Sequence, residues 1–282
     1  GKIKVETSNL SDKKIFYTAL YHTMIAPSLF NDANGDYRGA DKQNHQNPGY
    51  QTYTTFSLWD TYRAAHPLFT LVQPNRINDF VNTMLAIYDQ QGKLPVWHLH
   101  ANETNCMVGY HAIPVIADAY LKGFRGFDAE KAFEAMKSSA MSDFRGVDFV
   151  KSQGYIPADS QVESVARAME YAIDDWCIAA MATALGKTED AEYFSKRAKY
   201  YENYFDPKTR FMRGKMADGS WRTPFSPIAS QHNADDYCEG NAWQYLWLVP
   251  QNPEGLIELL GGEEPFVTKL DSLFSISSEQ IE

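Results

Sequence analysis

Apolar residues recur at three- and four-residue spacing through most of the chain, the period of helices that each bury one face. Over residues 11–26 this spacing gathers Ile15, Ala19, Tyr21 or His22, and Ile25, with Ser11 placed to cap the start. A helix over 56–72 is followed at once by Pro74, which suits the first position of a further helix running to Gln91. Helices are also predicted over 104–122 and over 128–142, the second with Asp128 as its cap. The longest pattern, 162–185, lines up Val165, Met169, Ile173 (or Ala172), Trp176 and Ala180 as a buried face. Gly186 stops it, and Thr188 is placed to cap a helix reaching about Tyr204.

Between 206 and 230 the helical period fails, and the text reads as turns with a short hairpin. Asn241 and Gln244 then stand at capping-box spacing, so a helix should begin near Ala242 and end before Pro250. Asn252 and Pro253 start another, and 263–276 holds a last. No alternation of strand and helix is visible. The fold class expected is all-α, with antiparallel helical pairs arranged as an (α/α)6-type toroid in one domain spanning 1–282. Long polar loops at 27–53, 92–103, 144–161 and 206–239 would then collect at one mouth, where chemistry is expected.

Composition narrows the function classes. The chain has 282 residues, 44% of them hydrophobic, enough to bury a sizeable core. A formal charge of −10 without a basic run argues against a nucleic-acid partner. No apolar stretch is long enough to span a bilayer, and the first residues lack the apolar core of a signal peptide. Cys106, Cys177 and Cys238 are odd in number and widely spaced, which favours buried thiols over a disulfide framework. The aromatic share, 14%, is high, and flat apolar rings beside carboxylates suit a pyranose, which offers a C–H face and a polar edge.

Three stretches hold the candidate chemistry. In "DDYCEGNAWQYLWLVP", Glu239 precedes the helix cap by two residues and so points from a loop. Kept protonated by burial beside aromatics and the acids Asp235 and Asp236, it could serve as a general acid; as a first-turn acid it would only complement the helix dipole. In "SLWDTYR", Asp60 beside Trp59 could hold two sugar hydroxyls, or simply pair with Arg63 one turn on. In "LPVWHLHANETNCMVGYHAIP", the spacing of His98, His100, Glu103 and His111 is a poor zinc pattern, and Trp97, Asn102 and Glu103 fit hydroxyl recognition better. Asp175, beside Trp176 in "EYAIDDWCIA", is a lesser candidate; Asp174 and Asp175 straddle solvent and core in this reading. There is no nucleophile elbow, phosphate loop or dinucleotide fingerprint.

Taken together, "FYTALYHTMIAPSLFNDANGDYRG", "YTTFSLWDTYRAAHPL", "NETNCMVGYHAIPVIADAYLKG", "EYAIDDWCIA" and "EGNAWQYLWLVP" resemble glycoside hydrolase family 92, across nearly the whole chain. That resemblance implies a calcium-dependent, inverting exo-α-mannosidase that is secreted or periplasmic, with a β-sandwich ahead of the toroid. It assigns the general acid to Glu239 and the holding of terminal mannose to Asp60, with Trp59, Trp97, Asn102 and Glu103 as further substrate contacts. It also implies that the general base, much of the calcium shell, the sandwich and the end of the toroid lie outside these residues, so that the 282 residues alone would be inactive. Two other functions share the same features: a toroidal α-glucosidase-type hydrolase, and a helical carbohydrate-binding or scaffold module whose carboxylates only accept hydroxyls.

Overall fold

A computed structural model of the chain describes residues 2–231 and 233–276. Two compact units divide it, Gly1–Ser139 and Ala140–Glu282. About half of the chain is helical, and both units carry small sheets in place of the all-α content expected, in part because strand pairs close between segments distant in the chain.

The first unit begins with α1 (Leu10–His22), capped by Asn9, whose side chain accepts from the Ser11 N–H; Ser11 itself lies inside the helix. The helix ends at His22 rather than Ala26, and Leu10, Ile15, Tyr21 and Ile25 are exposed. Four two-residue strands follow, β1 (Ser28–Leu29), β2 (Tyr37–Arg38), β3 (Asn44–His45) and β4 (Tyr53–Thr54), pairing β1 with β4 and β2 with β3. They turn the loop at 27–53 into two small antiparallel ladders. The helix expected over 56–72 is broken: β5 (Phe56–Ser57) leads into α2 (Leu58–Thr61) and then α3 (Ala65–Val72). Phe56 and Ser57 are drawn off into a ladder with residues 97 and 98, a pairing no local pattern encodes.

After a 3-10 turn at Pro74–Arg76 comes α4 (Ile77–Gln91), which buries Ile77, Phe80, Val81, Met84, Leu85 and Ile87. Gly92, at φ 79°, ends it by returning its N–H to Tyr88. Then come β6 (Trp97–Leu99), β7 (Asn102–Glu103), α5 (Ala112–Leu121) and α6 (Ala129–Met141). The start of α5 lies eight residues beyond the expected 104 because Asn105, Met107 and Gly109 adopt positive φ, which no right-handed helix accommodates. Helices α3, α4 and α5 pack against one another around Phe69, Val81, Met84, Ile113 and Ile116. Each such side chain contributes about 1.5–3 kcal/mol by leaving water.

In the second unit the loop expected at 144–161 contains α7 (Val147–Gln153), and the central helix is α8 (Ser164–Ala184). Gly186, at φ 72°, makes the turn into α9 (Thr188–Arg197), which packs along α8. The residue flanking α9 is Lys187, without a side-chain cap, so Thr188 is not the cap; a 3-10 segment, Tyr200–Tyr204, takes the remaining turn. On α8, Val165, Met169 and Ile173 are buried as the period predicts, but Trp176 is 46% exposed and both Asp174 and Asp175 are buried. The helix is enclosed on nearly all sides, so its acids had to find partners rather than water. Asp175 does so in an ion pair with Arg197 at 2.8 Å, both side chains 1% exposed.

The expected hairpin is formed by β8 (Phe205–Asp206) and β9 (Phe211–Met212). Three short helices follow: α10 (Ala242–Tyr245), α11 (Pro253–Leu259), capped by Asn252, and α12 (Glu263–Ser275). Of the cysteines only Cys238 is buried; Cys106 is exposed and Cys177 half-buried, against the expectation of three buried thiols.

Candidate active site

The acidic stretch before α10 is built as a rigid platform. Asn241 caps α10 as its spacing predicts, its side chain accepting from Trp243 and Gln244 while the Gln244 side chain accepts from the Asn241 N–H. Upstream, Asp235 to Cys238 are tied in turn. Asp235 uses its carboxylate within the loop, accepting from Gln231 N–H at 2.6 Å and Tyr237 N–H at 2.8 Å. Its carbonyl accepts from Glu163 N–H at 2.8 Å.

Asp236 fixes the same loop to the start of α8. Its carbonyl accepts from the Val165 and Ala166 N–H groups at 3.1 and 3.0 Å, satisfying first-turn donors that would otherwise lack partners. Its carboxylate accepts from Ser164 Oγ at 3.0 Å and lies 3.0 Å from Arg222 Nε, an ion pair too bent to be a hydrogen bond. Burial raises the Asp236 pKa against the opposing pull of Arg222 and Ser164. Gly214 is required beneath it, since a Cβ there would collide with the carboxylate.

The pinning continues to the candidate acid. Tyr237 Oη donates to Met212 O at 2.7 Å, and Tyr245 Oη donates to Cys238 O at 2.7 Å. The Cys238 thiol is pushed up to about 12, chiefly by burial and then by the Glu163 carboxylate, to which it donates. Gly240 is buried against Gln244 and Tyr245. Between these two fixed neighbours Glu239 alone is exposed, against the burial expected of it, because the loop folds its neighbours inward and turns residue 239 out with its backbone in the left-handed region at φ 47°. So of three acids in the stretch, two are architecture and one is presented.

The sequence reading missed Glu163. It is 3% exposed, left-handed at φ 56°, and paired with Arg167 at 2.8 Å, both side chains enclosed. Arg167 Nε also donates to Val162 O at 3.0 Å. The four-residue Glu–Arg spacing in "ESVAR" was legible, but on a solvated face it would mean little; only burial gives it weight.

In the first unit the other five candidates gather on one three-stranded sheet, β5-β6-β7, and the helix that leaves it. Ser57 pairs with Trp97 across β5 and β6, and its hydroxyl donates to the Asp60 carboxylate. Asp60 and Trp97 therefore both adjoin Ser57. Asp60 is exposed, whereas Trp59 and Trp97 are half-buried. Asn102 is exposed at the hairpin tip, its amide donating to His100 O at 2.9 Å and its oxygen accepting from Lys42.

Glu103 is occupied differently. Its Oε2 accepts from Val96 N–H and its Oε1 from the Trp97 and Asn105 N–H groups, all at 2.9 Å. That carboxylate shapes the strand pair that carries Trp97 and Asn102. His98, opposite Glu103 in the ladder, lies 3.4 Å from Thr54 Oγ1, and burial lowers it to about 4, so it is neutral at pH 7. Within each unit, two of the long loops touch: Lys42 reaches Ala101 and Asn102 in the first, and Ala158 N–H donates to Lys215 O in the second.

Calcium needs several oxygen ligands on one centre. Among the described residues no three His, Cys, Asp or Glu side chains converge to hold an ion. Carboxylates that could contribute are engaged: Asp36 with Asn34 and Asn47, Glu103 with three amides, Asp206 with Arg213 and Thr209. These residues do not fit a calcium centre by themselves.

A model described as the glycosyl hydrolase family 92 catalytic domain matches residues 1–282. The chain belongs to that family. Among solved structures it is similar to a family GH92 alpha-mannosidase from Bacteroides thetaiotaomicron, at 45% identity over 98% of this chain and 37% of that one, with a TM-score of 0.93. It is also similar to a family GH92 inverting mannosidase from Bacteroides thetaiotaomicron VPI-5482, at 34% identity over 96% of this chain and 38% of that one, TM-score 0.90. A protein of Arthroderma benhamiae described as an uncharacterized secreted glycosidase is 28% identical, over 97% of this chain and 36% of its own length. The chain thus spans little more than a third of the length of these relatives. Among the described residues, no helix is long and apolar enough to cross a membrane.

Proposed function

We propose that these residues form part of an inverting exo-α-mannosidase in which Glu239 is the general acid. The observation that carries the reading is the platform at 235–241: a single exposed carboxylate in left-handed backbone, flanked by residues held on every side. A proton donor works only when its carboxyl is held within hydrogen-bond reach of the departing oxygen, and this loop restricts the movement of residue 239. Family membership, and similarity to a mannosidase also solved in complex with mannoimidazole, support an α-mannoside as substrate.

In this reading Glu239 protonates the glycosidic oxygen as its bond to the anomeric carbon breaks. A general base outside these residues would activate water on the opposite face of the ring, at the wider carboxyl separation that inversion requires. Asp60, Trp59, Trp97 and Asn102 contact the terminal mannose, and Glu103 contributes through the hairpin it builds. The helical pairs belong to a toroid, calcium takes its ligands from outside the described residues, and the protein is secreted, as one relative is described.

The test is leaving-group dependence in the full-length protein. Glu239→Gln should lower kcat by about 10²–10⁴-fold on mannobiose, whose departing alcohol needs a proton. On α-mannosyl fluoride, whose leaving group needs none, the loss should be far smaller. Equal activity of variant and wild type on mannobiose would refute the assignment.

A further inference from the structure

Resting on Glu239 as the acid, we propose that Glu163 is a positioning residue for it. Glu163 would set the peptide that carries the acid by holding Asp235 with its N–H and the Cys238 thiol with its carboxylate.

The residue immediately before the acid has two handles. Tyr245 Oη holds the Cys238 carbonyl at 2.7 Å, and Glu163 holds the Cys238 side chain. Together they fix the rotation of residue 238 about its backbone, and hence the direction in which the next Cα–Cβ bond, that of Glu239, leaves the loop. The third anchor is the 2.8 Å hydrogen bond from Glu163 N–H to Asp235 O, which ties the far end of the loop to the same residue.

Glu163 is suited to this because it is itself immobile. It is 3% exposed, its carboxylate accepts from Arg167 Nη2 at 2.8 Å, and Arg167 is anchored in turn on Val162 O. Its backbone lies at φ 56°, a region that side chains other than Gly, Asn and Asp seldom occupy, and so does that of Glu239 at φ 47°. Two residues in uncommon backbone, joined through one thiol, form a coupled pair. A buried ion pair is a poor source of stability compared with apolar packing, but it fixes geometry. In a domain with abundant apolar side chains, fixing geometry beside the acid accounts for the charges better than stability does.

The proposal is tested in the full-length protein with Glu163→Gln, Cys238→Ala and Cys238→Ser, each compared with Glu239→Gln on mannobiose and on α-mannosyl fluoride. A carboxyl displaced by about 1 Å costs on the order of a hundredfold in rate. Glu163→Gln and Cys238→Ala should therefore lower kcat on mannobiose by about ten- to a hundredfold, with KM little changed and the fluoride reaction nearly spared. Cys238→Ser keeps a donor toward Glu163 and should restore most of that loss. Should Glu163→Gln fail to fold, Cys238→Ala, a small change inside an otherwise intact loop, carries the test.

Parallel losses on both substrates, or no loss on either, would mark Glu163 and Cys238 as parts of the framework only and overturn the proposal while leaving Glu239 in place. If Glu239→Gln itself shows no preference between the substrates, the acid assignment and this inference fall together.

Discussion

Replacing Glu103 with Gln separates two roles that a conserved shape would hide. The carboxylate accepts three backbone hydrogen bonds, from Val96 on one oxygen and from Trp97 and Asn105 on the other. A glutamine has one acceptor oxygen. Placed where Oε1 sits, it keeps Trp97 and Asn105 but turns its NH2 toward the N–H of Val96, a residue only 6% exposed. A hydrogen bond to a charged acceptor contributes about 1.5–3 kcal/mol, and an orphaned buried donor costs a similar amount. The two descriptions overlap, so a loss of about 2–3 kcal/mol in the β6–β7 hairpin is expected, or about 30–150-fold faster amide exchange. Hydrogen exchange read at Val96, Trp97 and Asn105, with urea unfolding alongside, measures this directly. If exchange at those amides is unchanged while KM for an α-mannoside rises, Glu103 touches substrate and the structural reasoning is wrong.

Two further perturbations probe the framework. Arg197→Met removes the charge opposite Asp175 where both side chains are 1% exposed, and should destabilise the protein by about 3–5 kcal/mol in urea unfolding. Arg197→Met combined with Asp175→Leu should recover much of that, and a double variant as unstable as the single one would contradict the pairing. His66 is buried against Phe69 and Phe80, and burial lowers it from 6.5 to about 4. Its folded form is therefore neutral where the unfolded chain takes up a proton, so stability is full above about pH 6.5 and is lost as pH falls toward 4. The loss is on the order of 3 kcal/mol. His66→Phe should flatten the pH dependence of the urea midpoint in that window, and an unaltered slope would show that other groups cause it.

Local patterns in the sequence determined where several helices lie and how some begin. The 3.6-residue period of α4 and of most of α8, the helix expected over 263–276, the capping box at Asn241 and Gln244, and the Asn252–Pro253 start are statements about neighbouring residues, and the structure keeps them. The phrases that resemble family 92 were equally legible, and the match over residues 1–282 agrees with them.

Tertiary structure decided the rest, because the deciding partners are distant in the chain. Phe56 and Ser57 read as helix until residues 97 and 98 offer them a ladder. Asp174 and Asp175 read as half-solvated, yet α8 is enclosed, and Asp175 depends on Arg197 from the next helix. Sequence sets Glu239 apart by its place before the cap, but nothing in it shows what Asp235 and Asp236 do. Asp236 becomes architecture only when the first turn of α8, some seventy residues earlier, supplies the N–H donors that its carbonyl satisfies. A hydrogen-bond period or a cap is closed within four residues and can be read from text. A buried charge is stable only with a partner whose position depends on how the whole chain has folded.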